Sequence, residues 1–262
     1  MLLLKKKPTT NGLRHQIVLQ KNLLSKTNRI IKTLLRGSKN ISGRSSLTGA
    51  ITVRHKGGGC KKLFRKINMI NDNAYSIVIA ICYDPQRTAF ISLQYDFLKN
   101  LFFFSLATDL IFPGSLMTCS DFNAELRLGF RIQMKNIPTG SLIHNLSLDK
   151  SKEAKYIRSA GAFGQLIQKD LNFCQIKLPS SQIIKVSTGS YATVGISSNL
   201  KSNLICIGKA GKNRLRGKRP SVRGIAMNPV DHPHGGRTNG GCTPTTPWGI
   251  PTKGKPTKKH KK

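Results

Sequence analysis

Short apolar runs bounded by turn-forming residues recur along the middle of the chain and predict β-strands. Tyr75–Cys82 is strongly β-prone and ends at Tyr83–Arg87, where Asp and Pro followed by polar residues indicate a turn. Thr88–Tyr95 is predicted to be the returning strand of a hairpin. Further short apolar runs follow at residues 101–112 and 115–119.

A second series of short strands is predicted between about residues 130 and 195. Strand-length pieces lie at Ala162–Lys169, Phe173–Leu178 and Gln182–Val186, and turn residues punctuate the series. Many short strands at about ten-residue spacing favour small barrels over helices or a parallel sheet. The predicted fold class is therefore mainly β, with two small barrels and long basic, largely irregular N- and C-terminal extensions.

The two ends of the chain lack this strand pattern. The first segment has helical potential only around Lys21–Leu35, and after about Lys201 Gly and Pro become frequent while large apolar residues become rare. Such a tail cannot bury enough surface to offset its ordering entropy, so we expect it to be ordered only against a partner. The predicted ranges are a basic N-terminal extension at 1–42, barrels at 43–120 and 121–200, and a basic Gly/Pro-rich C-terminal extension at 201–262.

Charge follows the same division. The 262 residues include 44 Lys and Arg against 10 Asp and Glu, a formal net charge of +34. Residues 1–66 hold 17 basic residues and no acid, residues 67–200 hold 12 basic and 9 acidic residues, and residues 201–262 hold 15 basic residues and one acid. A nearly balanced body between cationic ends is typical of a protein that binds nucleic acid, because a polyanion relieves the self-repulsion.

Two other classes of protein are disfavoured by the sequence. The most hydrophobic stretch, Leu101–Phe112, contains Asp109 and is about eight residues too short to span a bilayer, so no membrane partner is predicted. The chain start has an apolar run of three residues that precedes its charges, unlike a secretory signal.

The six cysteines are scattered without a CxxC pair, so neither a metal site nor a disulfide framework is predicted.

A glycine-rich basic motif occupies Ile51–Lys66. The short β-branched run Ala50–His55 stops at Gly57–Gly59, and cations flank the glycines on both sides. Glycine lets backbone N–H groups approach phosphate oxygens closely, and the spacing of a nucleotide-binding P-loop is absent. Since no acid lies nearby, RNA contact is favoured over a solvated cationic hairpin.

A second basic motif runs from Gly208 to Gly224, with cations every two or three residues between glycines. This spacing suits an extended strand that contacts successive phosphates. Further along, Trp248 is either an anchor into a packed surface or a base-stacking ring. The candidate nucleic-acid-binding residues in these stretches are Arg54, His55, Lys56, Gly57, Gly58, Gly59, Lys61, Lys62, Arg65, Lys66, Lys209, Lys212, Arg214, Arg216, Lys218, Arg219, Arg223, Arg237, Trp248 and Lys253.

Asp231, His232 and His234 form a third motif, which raises the alternative of a metal-dependent hydrolase. His-x-His supplies only two metal ligands, and adjacency in sequence does not give Asp231 the geometry of a catalytic triad. The favoured interpretation is a rigid, proline-punctuated loop whose imidazoles hydrogen-bond RNA. No catalytic residue and no cofactor are predicted.

These motifs resemble, in collinear order, the universal large-subunit ribosomal protein two family. The resemblance is strongest from Gly208 to Gly254, where MNPVDHPHGG and TPWG stand nearly intact. It continues at Lys7–Thr10, Arg44–Lys66, Tyr83–Arg87, Asn136–Asn145 and Arg158–Gly161. It implies an OB-type barrel followed by an SH3-like barrel, both bound to large-subunit ribosomal RNA, and it adds Arg44 and Arg158 to the expected RNA-binding residues.

The resemblance also implies the biological role. Other ribosomal proteins would be partners, with tRNA and the small subunit involved indirectly through subunit association, tRNA placement and peptidyl transfer. On matching positions, Asp231, His232 and His234 would lie near the peptidyl transferase centre, where the chemistry belongs to RNA, so the protein is not expected to be an enzyme. The chain departs from the family at Cys60, in a shortened loop after His234, and in residues 96–125.

The composition adds a prediction of origin. The chain is rich in Lys, Asn, Ile and Phe, which indicates an AT-rich genome and, with the family-like start, a mitochondrial ribosome. A plastid or a bacterial ribosome is the alternative. The alternative function is a free-standing nucleic-acid chaperone or compacting protein, which would share the charge but act outside ribosomes.

Overall fold

The chain forms two compact units in the computed structural model, which describes residues 3–20, 24–25, 29–38, 42–68, 74–120, 125–148, 153–237 and 241–254. Unit 1 comprises Met1–Asn40 and Cys60–Lys212, and unit 2 comprises Ile41–Gly59 and Asn213–Lys262. Unit 2 thus unites two segments that are far apart in sequence. The four consecutive ranges drawn from composition remain a prediction.

Unit 1 is built on β-strands, as the apolar pattern predicts. Ten strands form one sheet, and pairs form three small sheets. The strands among the described residues are β1 (Leu3–Lys5), β2 (Ile17–Leu19), β3 (Leu35–Ser38), β4 (Lys62–Arg65), β5 (Ala74–Cys82), β6 (Ile91–Asp96), β7 (Leu101–Leu106), β8 (Leu116–Ser120), β9 (Arg131–Gln133), β10 (Leu142–His144), β11 (Leu146–Ser147), β12 (Ala154–Tyr156), β13 (Gly164–Lys169), β14 (Phe173–Lys177), β15 (Ile183–Ser187) and β16 (Tyr191–Val194).

The order in the large sheet is β15-β14-β13-β10-β16-β9-β8-β5-β6-β7. Its neighbours pair antiparallel except β8 and β9, which are parallel. β1 pairs with β2, β3 with β4, and β11 with β12. The mainly β prediction is confirmed.

The helices are short. They are α1 (Asn11–Arg14), α2 (Ala210–Leu215) and 3-10 helices at Arg29–Leu34, Met134–Asn136, Leu200–Leu204 and Gly224–Ala226. The helical potential predicted around Lys21–Leu35 is realised as the 3-10 helix at its end, while residues 21–23 and 26–28 lie outside the described residues. No helix in the described ranges is long and apolar enough to cross a membrane.

The predicted hairpin is confirmed in β5 and β6, which pair antiparallel up to Cys82 and Ile91. Its turn is fixed by Asp84, whose Oδ1 accepts the Gln86 N–H at 3.0 Å and whose Oδ2 accepts from Arg87 Nε at 2.7 Å. The returning strand begins at Ile91 instead of Thr88.

Strand alternation builds the core of unit 1. In β14, Cys174 and Ile176 are buried while Phe173 and Lys177 are exposed, which is the two-residue period of a half-buried strand. Their cluster extends through the large sheet from β15 to β5, and a second cluster contains Ile31, Cys82, Ile91, Leu93 and Phe104. Each fully buried aliphatic or Phe side chain contributes about 1.5–3 kcal/mol.

The side chain of His144, at the end of β10, is completely buried. Its Nδ1 donates to the Gly195 carbonyl at 3.2 Å, and its Nε2 lies 3.2 Å from the Thr108 hydroxyl. Burial, with a smaller contribution from the nearby Arg131 charge, lowers the pKa of His144 to about 4. The imidazole is therefore neutral at pH 7 and accepts from Thr108.

Unit 2 has little regular structure in its described residues. These comprise isolated bridges at Arg44–Ile51, Lys56–Lys218 and Thr245–Pro251, and the 3-10 helix at Gly224–Ala226. The β-branched run at 50–55 therefore forms a single bridge instead of a strand. Within the described part of unit 2, His232 is the one buried side chain.

Candidate nucleic-acid interface

The two basic motifs meet in unit 2 through their backbones. The Gly57 N–H donates to the Gly217 carbonyl at 3.1 Å, and the Arg219 N–H donates to the His55 carbonyl at 3.0 Å. His55 Nδ1 also donates to the Pro220 carbonyl at 3.2 Å. Segments 54–59 and 214–220, separate in sequence, are therefore adjacent in space.

Glycine is required where the segments touch. Gly59 has φ +97°, and a Cβ there would lie 2.9 Å from Gly217 N and 3.0 Å from the Leu215 carbonyl oxygen. These are backbone atoms that cannot rotate away. Gly217, at φ +88°, ends α2 by donating its N–H to the Arg214 carbonyl at 2.9 Å. The glycines thus set how closely the cations of the two segments approach.

The pairing puts like charges face to face. Lys56 and Lys218 are bridge partners, and both are exposed. Like charges directly opposite each other on paired strands are destabilising. In the sequence of unit 2, Asp231 is the only acid, so the repulsion has almost no internal compensation. We call Arg54, Lys56, Lys218 and Arg219 the paired-lysine surface.

Other predicted cations of unit 2 also face solvent. Arg44 donates from Nη1 to the Gly49 carbonyl at 2.9 Å, which closes the loop between the residues of its bridge. The remaining exposed cations are Arg214, Arg216, Arg223, Arg237 and Lys253. Exposed, acid-poor side chains of this kind are suited to phosphate contact.

The predicted RNA-binding cations of unit 1 include one buried side chain, and the others are exposed or half-buried. Arg65 is buried, donates from Nη1 to the Leu63 carbonyl at 3.2 Å, and lies 3.8 Å from Asp84 Oδ1. Its guanidinium therefore lies against Asp84 within unit 1, at a position where the sequence predicts a contact with RNA. Exposed or half-buried cations at the other predicted positions are Lys61, Lys62, Lys66, Arg158, Lys209 and Lys212.

The histidine loop is held by its own imidazoles. His232 is 7% exposed, and its Nδ1 accepts the His234 N–H at 3.0 Å. That acceptor role places the ring proton on Nε2. His234 Nε2 lies 3.1 Å from Thr245 N and 2.9 Å from the Thr243 carbonyl oxygen, so His234 ties the loop to the following segment.

The geometry around His232 differs from that of a carboxylate–imidazole pair. Asp231 is exposed, and it is His234, not a carboxylate, that occupies His232 Nδ1. Within the described ranges, no group of three or more His, Cys, Asp or Glu could hold a metal ion.

Trp248 stands on a closed turn. The Gly249 N–H donates to the Thr246 carbonyl at 2.9 Å, and the Thr246 N–H donates to the Ile250 carbonyl at 2.8 Å. Trp248 is 68% exposed, and Arg54 Cζ lies 4.7 Å from the centroid of its ring. Sequence reasoning named both residues but missed their contact, because nothing in their spacing indicates it.

A mainly β body and an exposed, acid-poor cationic surface backed by glycine define a nucleic-acid-binding protein. Residues 31–119 match the family described as Ribosomal Proteins L2, RNA binding N-terminal domain, and residues 127–249 match Ribosomal Proteins L2, C-terminal domain. The chain belongs to the ribosomal protein L2 family.

Full-length relatives agree with this family. The large ribosomal subunit protein uL2m of Reclinomonas americana is 44% identical over 268 residues, covering 100% of this chain and 95% of that protein. The large ribosomal subunit protein uL2 of Orientia tsutsugamushi (strain Ikeda) is 42% identical over 258 residues, covering 96% and 93%.

The comparisons confirm the main predictions. The family resemblance is correct, and the two family domains match the predicted OB and SH3-like folds. The predicted function, a structural constituent of the large ribosomal subunit that binds RNA, is confirmed, with ribosomal RNA and other ribosomal proteins as partners. The predicted mitochondrial origin agrees with the similarity to uL2m, and the bacterial alternative with the similarity to uL2.

Proposed function

We propose that this chain is a non-enzymatic component of the mitochondrial large ribosomal subunit and that the paired-lysine surface binds ribosomal RNA phosphates. The observation that carries this is the placement of Lys56 opposite Lys218 in a unit whose sequence contains one acid. A surface that repels itself when free is stabilised by a polyanion. Backbone contact through Gly57 and Gly217 fixes the register in which successive phosphates are met.

The other exposed cations extend the contact. We assign phosphate contacts to the remaining predicted Lys and Arg residues except Arg65, whose guanidinium is buried beside Asp84. Phosphate contacts position a protein on RNA without reading its sequence, which suits an architectural role. The ranges 43–120 and 121–200 are kept as the proposed barrels, with 1–42 and 201–262 as basic extensions.

The histidine loop supports the finer role. Asp231, His232 and His234 are proposed to lie near the peptidyl transferase centre, where the loop supports tRNA placement and, indirectly, association with the small subunit. His232 Nδ1 already accepts the His234 N–H, so this nitrogen is not free to act as a general base. The remaining Nε2–H is a hydrogen-bond donor, which suits a structural contact with RNA.

Sedimentation of the tagged full chain tests the proposal. In mitochondrial lysate it is expected to sediment with large subunits, and ultraviolet crosslinking is expected to attach large-subunit ribosomal RNA. A Lys56→Glu, Lys218→Glu double variant should lose occupancy, whereas Lys185→Glu, an exposed cation on β15, should keep it. A chain that stays at the top of the gradient while large subunits pellet would favour the free-standing chaperone.

A further inference from the structure

We propose that Arg54 and Trp248 form a stacking site for one unpaired nucleobase of ribosomal RNA. This inference rests on the proposed RNA-binding function and adds a contact to a base, which phosphate neutralisation does not require. It resolves the two roles that the sequence leaves open for Trp248 in favour of the stacking ring.

The geometry is that of a half-covered aromatic ring. Arg54 Cζ lies 4.7 Å from the centroid of the Trp248 ring, within the range of a cation–π contact. One guanidinium covers one face of the indole, and the side chain is still 68% exposed. The opposite face is therefore available to a flat partner.

The backbone holds the ring in place before any ligand arrives. Trp248 follows Pro247 in a turn closed by the Gly249 N–H. The two sides of this turn are also joined at Thr252, which donates to the Pro244 carbonyl from its backbone N–H at 2.9 Å and from its hydroxyl at 3.0 Å. Proline before the ring and glycine after it are the residues that this turn favours. A pre-ordered ring loses little conformational freedom on binding.

The charge around the ring selects a nucleobase over an apolar protein surface. Arg54 also belongs to the paired-lysine surface, and Asp231 is the only acid in the sequence of unit 2. A nucleotide presents a flat π-face and a phosphate together, so it can stack on Trp248 while its phosphate meets the neighbouring cations. Bases inside a duplex are already stacked, so the ligand is an unpaired base.

The chain provides its own reporter, because Trp248 is its single tryptophan. The full-length protein is titrated at low salt with a 12-nucleotide oligo(A), a blunt RNA duplex and inorganic polyphosphate while tryptophan emission is recorded. Oligo(A) is expected to quench the emission strongly, the duplex weakly, and polyphosphate hardly at all at equal saturation. Equal emission changes with all three ligands would overturn the stacking site. If the RNA ligands still bound and their binding weakened with added salt, the proposed function would stand without the stacking site. If neither RNA binds, the proposed function fails as well.

Variants separate the ring from general folding. Trp248→Leu is expected to weaken oligo(A) binding about 5- to 150-fold, from the ~1–3 kcal/mol typical of one base–aromatic stack. Trp248→Phe should retain most of the affinity, and Leu47→Ala, at a 94% exposed apolar position in the same unit, should retain all of it. Equal losses for the Leu and Phe variants overturn the proposal.

A photoreactive phenylalanine analogue at position 248 then identifies the partner in assembled subunits. Crosslinking to RNA is expected. Crosslinking to protein alone overturns the assignment to a base and makes Trp248 a protein anchor.

Discussion

Gly224 lies directly against the imidazole of His232, so close that a Cβ on Gly224 would come within 2.6 Å of the Nδ1 and Cε1 atoms. The same ring accepts the His234 N–H through Nδ1. The orientation of the buried histidine therefore depends on the absence of a side chain eight positions earlier in the sequence.

Gly224→Ala is expected to displace the His232 ring and to reproduce the effect of His232→Ala. Both variants should enter large subunits, because the loop is remote in sequence from the strands of unit 1, yet both should slow peptide-bond formation measured with puromycin on purified ribosomes. Gly211→Ala is the matched control, because its Cβ would meet nothing within 4 Å. Wild-type rates for Gly224→Ala would show that the placement of His232 does not matter for translation.

Gly59→Ala is expected to separate the two basic segments, because the new Cβ would lie 2.9 Å from Gly217 N. RNA affinity should fall, and the slope of log affinity against log salt should become shallower as phosphate contacts are lost. Gly49→Ala is the control: it lies in the same unit outside the predicted contacts and has φ +66° with open space around its Cβ, so it carries backbone strain of about 1 kcal/mol without the clash. Indistinguishable salt slopes for the two variants would contradict the role assigned to the close approach.

Lys218→Gln is expected to move stability and binding in opposite directions. Removing one of two opposed charges should stabilise the free protein by about 0.2–1 kcal/mol, while losing one phosphate contact should reduce the salt slope by about 1. Urea unfolding and filter binding measure the two effects.

The wild type itself should lose ~10³–10⁵ in RNA affinity between about 50 and 200 mM salt if 6–10 phosphates are contacted. A salt-independent affinity is the contrary result.

His144 is expected to make unit 1 sensitive to acid. Its folded-state pKa of about 4 lies below its ordinary value of 6.5, so between these pH values the unfolded chain binds a proton that the folded chain does not. Its contribution is complete above pH 6.5 and is lost as the pH falls toward 4, a change of about 3 kcal/mol.

The free energy of unfolding of the full chain, followed from pH 7 to pH 4.5, measures this effect. His144→Gln retains hydrogen-bonding capacity without titrating, so it should show a weaker dependence over this interval. The same pH dependence in both proteins would assign the loss of stability to other groups.

The strands of unit 1 could be predicted from sequence because their signal is local. The alternation around Cys174 and Ile176 and the turn at Asp84 act over a few residues, and the structure realises them almost in place. The strand β6 begins at Ile91 instead of the predicted Thr88. Phe90 donates its N–H to the Ser198 hydroxyl at 3.0 Å, so this N–H is bound by a distant part of the chain and not by a neighbouring strand.

The interface was predictable in composition and not in arrangement. The cations and glycines could be named, since an acid-free stretch is visible in the sequence. The approach of Gly59 to Gly217 and of Arg54 to Trp248 depends on tertiary contacts between segments more than 150 residues apart. At Arg65, likewise, nothing in the sequence indicates that the guanidinium is buried. It lies beside the carboxylate of Asp84, which comes from the turn after β5.

Unit 2 buries one side chain, His232, among its described residues, so few apolar contacts resist its opening. We expect its segments to be the first parts of a newly made chain that proteases cut when no ribosomal RNA is at hand. Copies made in excess of RNA would then be degraded while incorporated copies persist. The shortage of buried side chains would in this way match the supply of the protein to the number of particles under construction.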